Sequence, residues 1–150
     1  MNFVKTLVVY DSNYGNTQMI ANVIAKNLKG KAIYIADYSK DDLEGVELLI
    51  VGSPINGWRP TVKISEFLSD LSTAGLQGVK AAAFDTRVKL FIHGDAASRI
   101  SQSLEKAGGK IISKPKGFVV EGTDGPLKEG EVDKAIEWAR ELKEEFSSSK

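Results

Sequence analysis

The chain has 150 residues, in which 20 lysines and arginines balance 20 aspartates and glutamates, and it contains no cysteine and one histidine. This length suits one domain with its own buried core. The balanced charge gives no indication of a face for nucleic acid or another polyanion. The composition excludes disulfides, thiol catalysis, cysteine-ligated metals and multi-histidine metal sites, so any redox chemistry requires a bound organic cofactor.

We expect no targeting segment in this chain. Residues 1–5 lead into an apolar run without the pattern of a signal peptide, and no apolar run is long enough to span a bilayer. We therefore expect a cytoplasmic monomer without membrane or nucleic-acid partners. One domain is expected to cover residues 1–150, with a frayed tail at 147–150.

Strand and helix patterns alternate along the chain. The first half predicts a buried strand at 6–10, a helix with the apolar stripe Ile20, Val23, Ile24 and Leu28, an edge strand at 32–36, a buried strand at 47–52 and a helix with the stripe Ile64, Phe67, Leu68 and Leu71. The second half predicts a strand at 79–84, a helix with the stripe Ala97, Ile100, Leu104 and Ala107, a fifth strand at 110–113 and 117–120 that is interrupted near Pro115, and a helix with the stripe Val132, Ala135, Ile136, Ala139, Leu142 and Phe146. Trp138 flanks this last stripe and is expected to pack against the core.

The alternation predicts an α/β fold, a doubly wound three-layer sandwich around a five-stranded parallel sheet of order 2-1-3-4-5. Ligands of such sheets bind at the carboxyl ends of the strands, which places loops 11–17, 53–60, 85–95 and 121–130 on one rim. Residues 86–94 are ambiguous, because Val88, Leu90 and Ile92 alternate as in a strand. We interpret this segment as an ordered loop that covers a ligand.

The loop after the first strand has the composition of a phosphate-binding site. It runs Ser12, Asn13, Tyr14, Gly15, Asn16 and Thr17, and its N–H groups and the following helix end favour an anion. The loop lacks the GxxxxGK[ST] and GxGxxG patterns of nucleotide and dinucleotide sites. It also has no lysine or arginine, which suits a phosphate monoester that is held rather than transferred. The alternative is a polar turn in which Asn16 or Thr17 caps the helix.

The second loop has an unusual aromatic residue at its tip. Its residues are Ser53, Pro54, Ile55, Asn56, Gly57, Trp58, Arg59 and Pro60. The Asn56-Gly57 pair predicts a tight turn, and the Trp58 indole beside a phosphate cradle suits stacking on a flat ring. The alternative is that Trp58 folds back as a lid on the neighbouring helix.

These segments resemble the flavodoxin family over nearly the whole chain. The first loop of that family runs Thr/Ser-x-Thr-Gly-x-Thr, which Ser12, Gly15 and Thr17 match and from which Tyr14 departs. Gly52-Ser53-Pro54, the Gly57 turn and Asp85-Thr86-Arg87 are similar to the second and third flavin loops, and Gly122–Leu127 extends the similarity. The resemblance implies FMN as cofactor and an electron carrier that serves redox partner proteins.

The resemblance also assigns roles to individual residues. Residues Ser12–Thr17 would hold the phosphate, Asn56–Trp58 the ring edge and one ring face, and Asp85, Thr86 and Arg87 the pyrimidine end. Ser53, Pro54 and Ile55 are also expected to bind the cofactor. In the family, a peptide at the position of Gly57 turns over when the flavin gains an electron, a change that glycine permits.

The chain departs from the family in charge, since flavodoxins are usually strongly acidic. It has no tyrosine in the third loop, where Phe91 and His93 are present instead. With Arg87 and Lys89 near the flavin, we expect a weaker reductant than an acidic flavodoxin. The alternative is that both side chains point into solvent and leave the potential unchanged. Two other readings remain open: an FMN-dependent quinone or porphyrinogen oxidoreductase on the same fold, and a flavin-free binding module such as a receiver domain. The receiver reading fits poorly, since Asp11-Ser12-Asn13 and Gly52-Ser53-Pro54 stand where receivers carry acidic residues.

Overall fold

The computed structural model describes residues 4–56, 59–88 and 95–149. Strands and helices alternate along these residues, as the sequence predicts. The strands are β1 (Thr6–Tyr10), β2 (Lys31–Tyr34), β3 (Leu48–Pro54), β4 (Lys80–Val88), β5 (Lys110–Ile111) and β6 (Lys116–Val120). The helices are α1 (Asn16–Asn27), α2 (Val62–Ala74), α3 (Ala96–Lys106) and α4 (Glu131–Ser148), and two 3₁₀ turns cover Ile35–Asp37 and Lys40–Leu43.

The sheet is parallel and has the predicted order β2-β1-β3-β4-β5, with β6 also paired to β4. β5 pairs with the start of β4 and β6 with its end, so together they fill the fifth position. The predicted interruption near Pro115 is confirmed, since that residue lies between β5 and β6 and has no N–H to donate to a ladder.

Two apolar layers cover the two faces of the sheet. Leu7 and Val9 point to the layer under α2 and α3, whereas Val8 and Tyr10 point to the layer under α1 and α4. This division follows from the alternation of side chains along a strand. Trp138 is 2% exposed and donates its indole N–H to Ser113 Oγ at 3.0 Å, which confirms its predicted packing role.

Four expectations need correction. The prediction of a loop from residue 86 is wrong for residues 86–88, which belong to β4 because they pair with β6. Residues 89–94 lie outside the described part of the chain. The edge strand ends at Tyr34, since Ile35 begins a 3₁₀ turn. The expected stripe of α4 includes Ile136, which is 42% exposed because the helix buries the line through Ala135, Trp138 and Leu142. The tail expected at 147–150 begins later, since α4 continues through Ser148.

Lys80 stabilises the C-terminal end of α4. Its ammonium donates to the carbonyl oxygens of Phe146, at 3.0 Å, and of Ser149. These contacts satisfy carbonyl groups that a helix end leaves without partners. No helix among the described residues is both long and apolar enough to cross a membrane.

Glu131 ties α4 to the edge of the sheet. Its side chain is nearly buried, accepts the backbone N–H of Val119 at 2.6 Å and lies 2.9 Å from Lys134 Nζ. Burial alone would raise the pKa of Glu131, but the hydrogen bonds from Lys134 and Val119 and the charges of Lys134 and Lys116 outweigh it and lower this pKa.

We predict that Glu131→Gln lowers the free energy of unfolding by about 1–2 kcal/mol near neutral pH, because the variant keeps an acceptor but loses the charge. A lowered pKa in the folded state contributes stability above the ordinary glutamate pKa, and this stability is lost as the pH falls through the folded-state value. The difference in the free energy of unfolding between the original chain and Glu131→Gln should therefore become smaller as the pH falls. Urea unfolding at a series of pH values measures this difference. Glu141→Gln, on an exposed face of the same helix, is the matched control and should leave stability nearly unchanged. A gap that stays constant down to about pH 3 would contradict this role.

Candidate functional site

The first loop turns tightly from β1 into α1. Gly15 precedes the helix with φ +92°, a conformation that side chains rarely adopt. Ser12 Oγ accepts the N–H of Gly15 at 3.0 Å and, at 3.4 Å, that of Gln18. Neither Asn16 nor Thr17 caps the helix through its side chain. The loop is therefore closed by Ser12, which leaves the helix start open.

This turn leaves a group of N–H donors available. The backbone N–H groups of Asn13, Tyr14, Asn16 and Thr17 donate to no acceptor among the described residues. A Cβ built on Gly15 would meet no atom within 4 Å, so the space beside these donors is open. Free N–H groups at the positive end of a helix dipole form an anion site. The donor set fits a phosphate group.

Thr17 connects this loop to the end of β4. Its Oγ1 lies 2.8 Å from Thr86 Oγ1, and the two residues are 1% and 5% exposed. Thr86 points toward α1, whereas its neighbours Asp85 and Arg87 point toward α3, because successive strand residues face opposite sides. Sequence reasoning placed Thr17 and Thr86 in the site but missed this contact, since 69 residues separate them.

The loop between β6 and α4 supports the first loop from the other side. Asn16 Nδ2 donates to the carbonyl oxygen of Asp124 at 3.2 Å. A Cβ on Gly125, which has φ +100°, would lie 2.6 Å from Asn16 Oδ1, so only glycine permits this approach. The sequence placed loop 121–130 on the rim but assigned none of its residues to the site. The signal that was available is the pattern Gly122, Gly125 and Pro126, which predicts a tight turn.

The second loop is built on a buried serine. Ser53 is fully buried, its Oγ accepts the N–H of Thr61 at 3.0 Å, and its hydroxyl donates to the carbonyl oxygen of Pro54 at 2.7 Å. Thr61 in turn caps α2 by accepting the N–H of Ile64. Ser53 thus holds the two ends of the loop together.

The tip of the second loop is closed by a reciprocal backbone pair. Asn56 N donates to Arg59 O at 2.7 Å, and Arg59 N donates to Asn56 O at 3.2 Å. Ile55 N donates to Thr86 O at 3.3 Å, which joins this loop to β4. Pro54 and Ile55 are partly buried, and Asn56 is exposed. The proposed contacts of Gly57 and Trp58 lie outside the described residues, as do Phe91 and His93.

Asp85 and Arg87 form a bidentate ion pair on the α3 side of β4. Arg87 Nε and Nη2 donate to the two carboxylate oxygens of Asp85 at 2.7 Å each, and Ala97 N donates to Asp85 Oδ2 at 2.9 Å. Asp85 is fully buried, while the Arg87 side chain is 20% exposed. The pair therefore fastens the start of α3 to the end of β4.

Burial and hydrogen bonds change the pKa values of Asp85, Arg87 and the neighbouring Asp95. Burial raises the pKa of Asp85, although Arg87 and the Ala97 N–H oppose it. The hydrogen bonds to Asp85 raise the pKa of Arg87. Burial would also raise the pKa of Asp95, but hydrogen bonds from Ser98 and the charge of Arg87 lower it on balance.

The positive charge expected from Arg87 is compensated. Arg87 Nη2 also lies 3.3 Å from Asp95 Oδ1, so one guanidinium faces two carboxylates. This arrangement weakens the argument that Arg87 makes the chain a weaker reductant. Lys89, the other cation in that argument, lies outside the described residues.

We predict that Arg87→Ala lowers the free energy of unfolding by about 3 kcal/mol near neutral pH, because Asp85 then stays buried without its partner. An acid whose pKa is raised in the folded state favours the folded state when it is protonated, and this benefit is lost as the pH rises. The loss of stability should therefore shrink as the pH falls, which denaturant unfolding at several pH values measures. The double variant Asp85→Asn/Arg87→Ala is the control: it should be more stable than the single variant near neutral pH and less dependent on pH. Equal instability of the two variants would contradict the ion-pair account.

Comparison with solved structures shows a shared fold. Flavodoxin 2 from Bacillus cereus has a TM-score of 0.81 at 24% identity, with 95% of this chain and 100% of that chain covered. A flavodoxin from the domain Archaea has a TM-score of 0.80 at 20% identity and covers 96% of this chain and 99% of that one. Rubredoxin oxygen:oxidoreductase from the anaerobe Desulfovibrio gigas has a TM-score of 0.82 at 16% identity, but the chain spans only 36% of that protein.

A family model extends the likeness from fold to sequence. The model described as flavodoxin matches residues 8–138, which include all four loops of the rim. The family implies a flavin cofactor, which agrees with the open anion site of the first loop. The chain therefore belongs to the flavodoxin family.

Proposed function

We propose that this chain binds FMN at the rim described above and carries electrons between redox partner proteins. The observation that supports this most strongly is the first loop, in which four N–H groups have no acceptor among the described residues and the space beside Gly15 is open. A flavin that ends in a phosphate monoester matches these donors, whereas a flavin without phosphate would leave them unused.

The phosphate would be held entirely by neutral groups. Ser12 Oγ already accepts two N–H groups, so its own proton is free to be donated. Thr17 shares a hydrogen bond with Thr86, which fixes the orientation of its side chain. The carboxylate of Asp11 accepts the N–H of Ser12 at 2.8 Å and is nearly buried. No lysine or arginine belongs to the loop, which suits a phosphate that anchors the cofactor and undergoes no transfer.

The other two loops would hold the ring system. The Asn56–Arg59 backbone pair fixes the two residues that flank Gly57 and Trp58 in the sequence. We assign one ring face to Trp58 and the ring edge to Gly57. In the segment 85–87, both oxygens of Asp85 are engaged by Arg87 and Ala97. Asp85 and Arg87 would therefore act at the pyrimidine end by fixing the backbone there, and Thr86 by joining β4 to the first loop.

The bound cofactor would supply the redox chemistry, since it accepts and releases electrons one or two at a time. The described residues supply anchoring, orientation and a rigid rim, because each loop is tied to a strand or to another loop. A cytoplasmic location and a monomeric state remain predictions from the sequence.

An anaerobic, potential-controlled titration of the FMN-reconstituted chain, followed by visible absorbance, tests this proposal. We predict two separated one-electron steps with a long-wavelength absorbance band between them, as a one-electron carrier requires. The pure protein should also fail to oxidise NADPH steadily in the presence of a quinone. A single two-electron step together with steady quinone reduction would favour the alternative, an FMN-dependent oxidoreductase. No flavin absorbance after reconstitution and gel filtration would contradict both.

A further inference from the structure

A groove with an excess of positive charge runs between α2 and α3. We call it the α2–α3 groove; its volume is about 400 Å³, and the charged side chains that line it are Arg59, Arg99 and Lys106. Within the described ranges, no acidic side chain lines this groove and none of the three cations forms an ion pair. All three are exposed. A chain with zero net charge thus concentrates positive charge in one place.

The two walls of the groove are regular helical stripes. On α3, Arg99, Ser103 and Lys106 recur at spacings of four and three, so they share a face. On α2, the serines of the opposite wall, Ser65, Ser69 and Ser72, recur in the same way. Small hydroxyl side chains on one wall leave the long cations of the other wall accessible.

The acidic residues of these elements lie elsewhere. The charge of Asp70 in α2 helps to raise the pKa of Tyr38, so Asp70 lies near that tyrosine. The Tyr38 ring packs edge-on against Phe67, on the side of α2 away from α3. Asp95, just before α3, is engaged by Ser98 and Arg87. Glu66 of α2 and Glu105 of α3 are exposed but do not line the groove. The lining of the groove therefore carries positive charge without a carboxylate among the described residues.

The groove begins at the rim where the flavin would bind. α2 and α3 follow parallel strands and pack side by side, so both begin at the carboxyl edge of the sheet. Arg59 belongs to the second loop, and Val62, on the same stripe as Ser65 and Ser69, is 70% exposed at this end. Arg99 and Lys106 are seven residues apart, which places them about 10 Å apart along the helix.

These features of the groove favour a protein as its ligand over a small anion. The cations extend over a longer distance than a single phosphate group covers, and an exposed apolar side chain lies at the end nearest the proposed cofactor. An apolar contact with surrounding charges is the usual composition of a docking interface, in which the charges raise the association rate. The charge of the α2–α3 groove is opposite in sign to that of the acidic surfaces usual in flavodoxins.

We propose that the α2–α3 groove docks the acidic surface of a redox partner protein, with Val62 as the apolar contact at the rim. This inference rests on the proposed function, because it gives the site an electron donor or acceptor of stated charge. The partner is identified only by this chemistry: a protein with carboxylates spaced to meet Arg59, Arg99 and Lys106.

Stopped-flow reduction of the FMN-loaded chain by a reduced acidic plant-type [2Fe–2S] ferredoxin tests the groove. Each encounter oxidises one cluster by one electron and reduces one flavin by one electron. The test variant is Arg99→Glu/Lys106→Glu, and the matched control is Lys114→Glu/Lys143→Glu, which changes the net charge equally at exposed positions outside the groove. Arg99→Gln/Lys106→Gln provides a milder second variant.

At low ionic strength, we expect the charge-reversed groove variant to react at least about tenfold more slowly than the original chain, and the control less than about threefold more slowly. The neutral groove variant should fall between them. At about 0.5 M salt the differences should disappear, because surface charges are then screened. Equal slowing of the groove and control variants would overturn the proposal, since it would show an effect of net charge alone. Unchanged rates in the groove variants would overturn it as well.

Two further outcomes separate this inference from others. The first uses inorganic pyrophosphate as a probe. If it shifts the NMR signals of α2 and α3 while the groove variants leave the ferredoxin rates unaffected, the groove binds a small anion and docking is overturned.

The second outcome is that the chain binds no flavin, in which case the proposed function fails. Docking is then tested alone by NMR titration of the flavin-free chain with oxidised ferredoxin. Signals of α2 and α3 that shift in the original chain and in the control, but not in the groove variant, would support it, and any other pattern would overturn it.

Discussion

The parallel direction of the strands is the constraint on which the candidate site depends. Parallel neighbours cannot be joined by short hairpins, so a crossover segment must return the chain to the opposite edge of the sheet. Helices α1, α2 and α3 form three of these crossovers, and the two 3₁₀ turns lie in the crossover between β2 and β3. Every loop that follows a strand then lies at one edge of the sheet. The first, second and fourth loops meet β4 or each other through Thr17–Thr86, Ile55–Thr86 and Asn16–Asp124. Segments far apart in sequence are thereby brought together without a dedicated scaffold.

The site combines a rigid frame with N–H donors that have no acceptor in the described part of the chain. Buried polar groups such as Ser53 and Asp85 are fully engaged in fixing loop ends and helix starts. The N–H groups at the start of α1 are the contrasting case, because Ser12 closes the turn without using them. Such groups are costly to leave unpaired away from water, and a bound anion satisfies them. This contrast separates residues that build the rim from those that we propose contact the cofactor.

The sequence was sufficient for the architecture and for the position of the first loop at the start of α1. Continuous apolar runs, helical stripes and Pro115 predicted the strand order and the interrupted fifth strand, because these patterns are local. The first loop was equally readable, since its residues and its helix are adjacent. The Thr17–Thr86 contact was not, because it depends on how β1 and β4 are placed across the sheet. Asp85 and Arg87 lie two apart on a strand and thus share a face, a signal that would have revealed their pairing had the strand been extended past residue 84.

The measurement that tests the central claim most directly compares the affinities of FMN and riboflavin for the flavin-free chain by fluorescence titration. The two ligands differ in the phosphate group, so the comparison isolates the contribution of the first loop. The account predicts that FMN binds at least about 100-fold more tightly, since two charge-assisted hydrogen bonds suffice for such a ratio. Equal affinities would show that the open N–H groups at the start of α1 do not hold a phosphate, and would contradict the account.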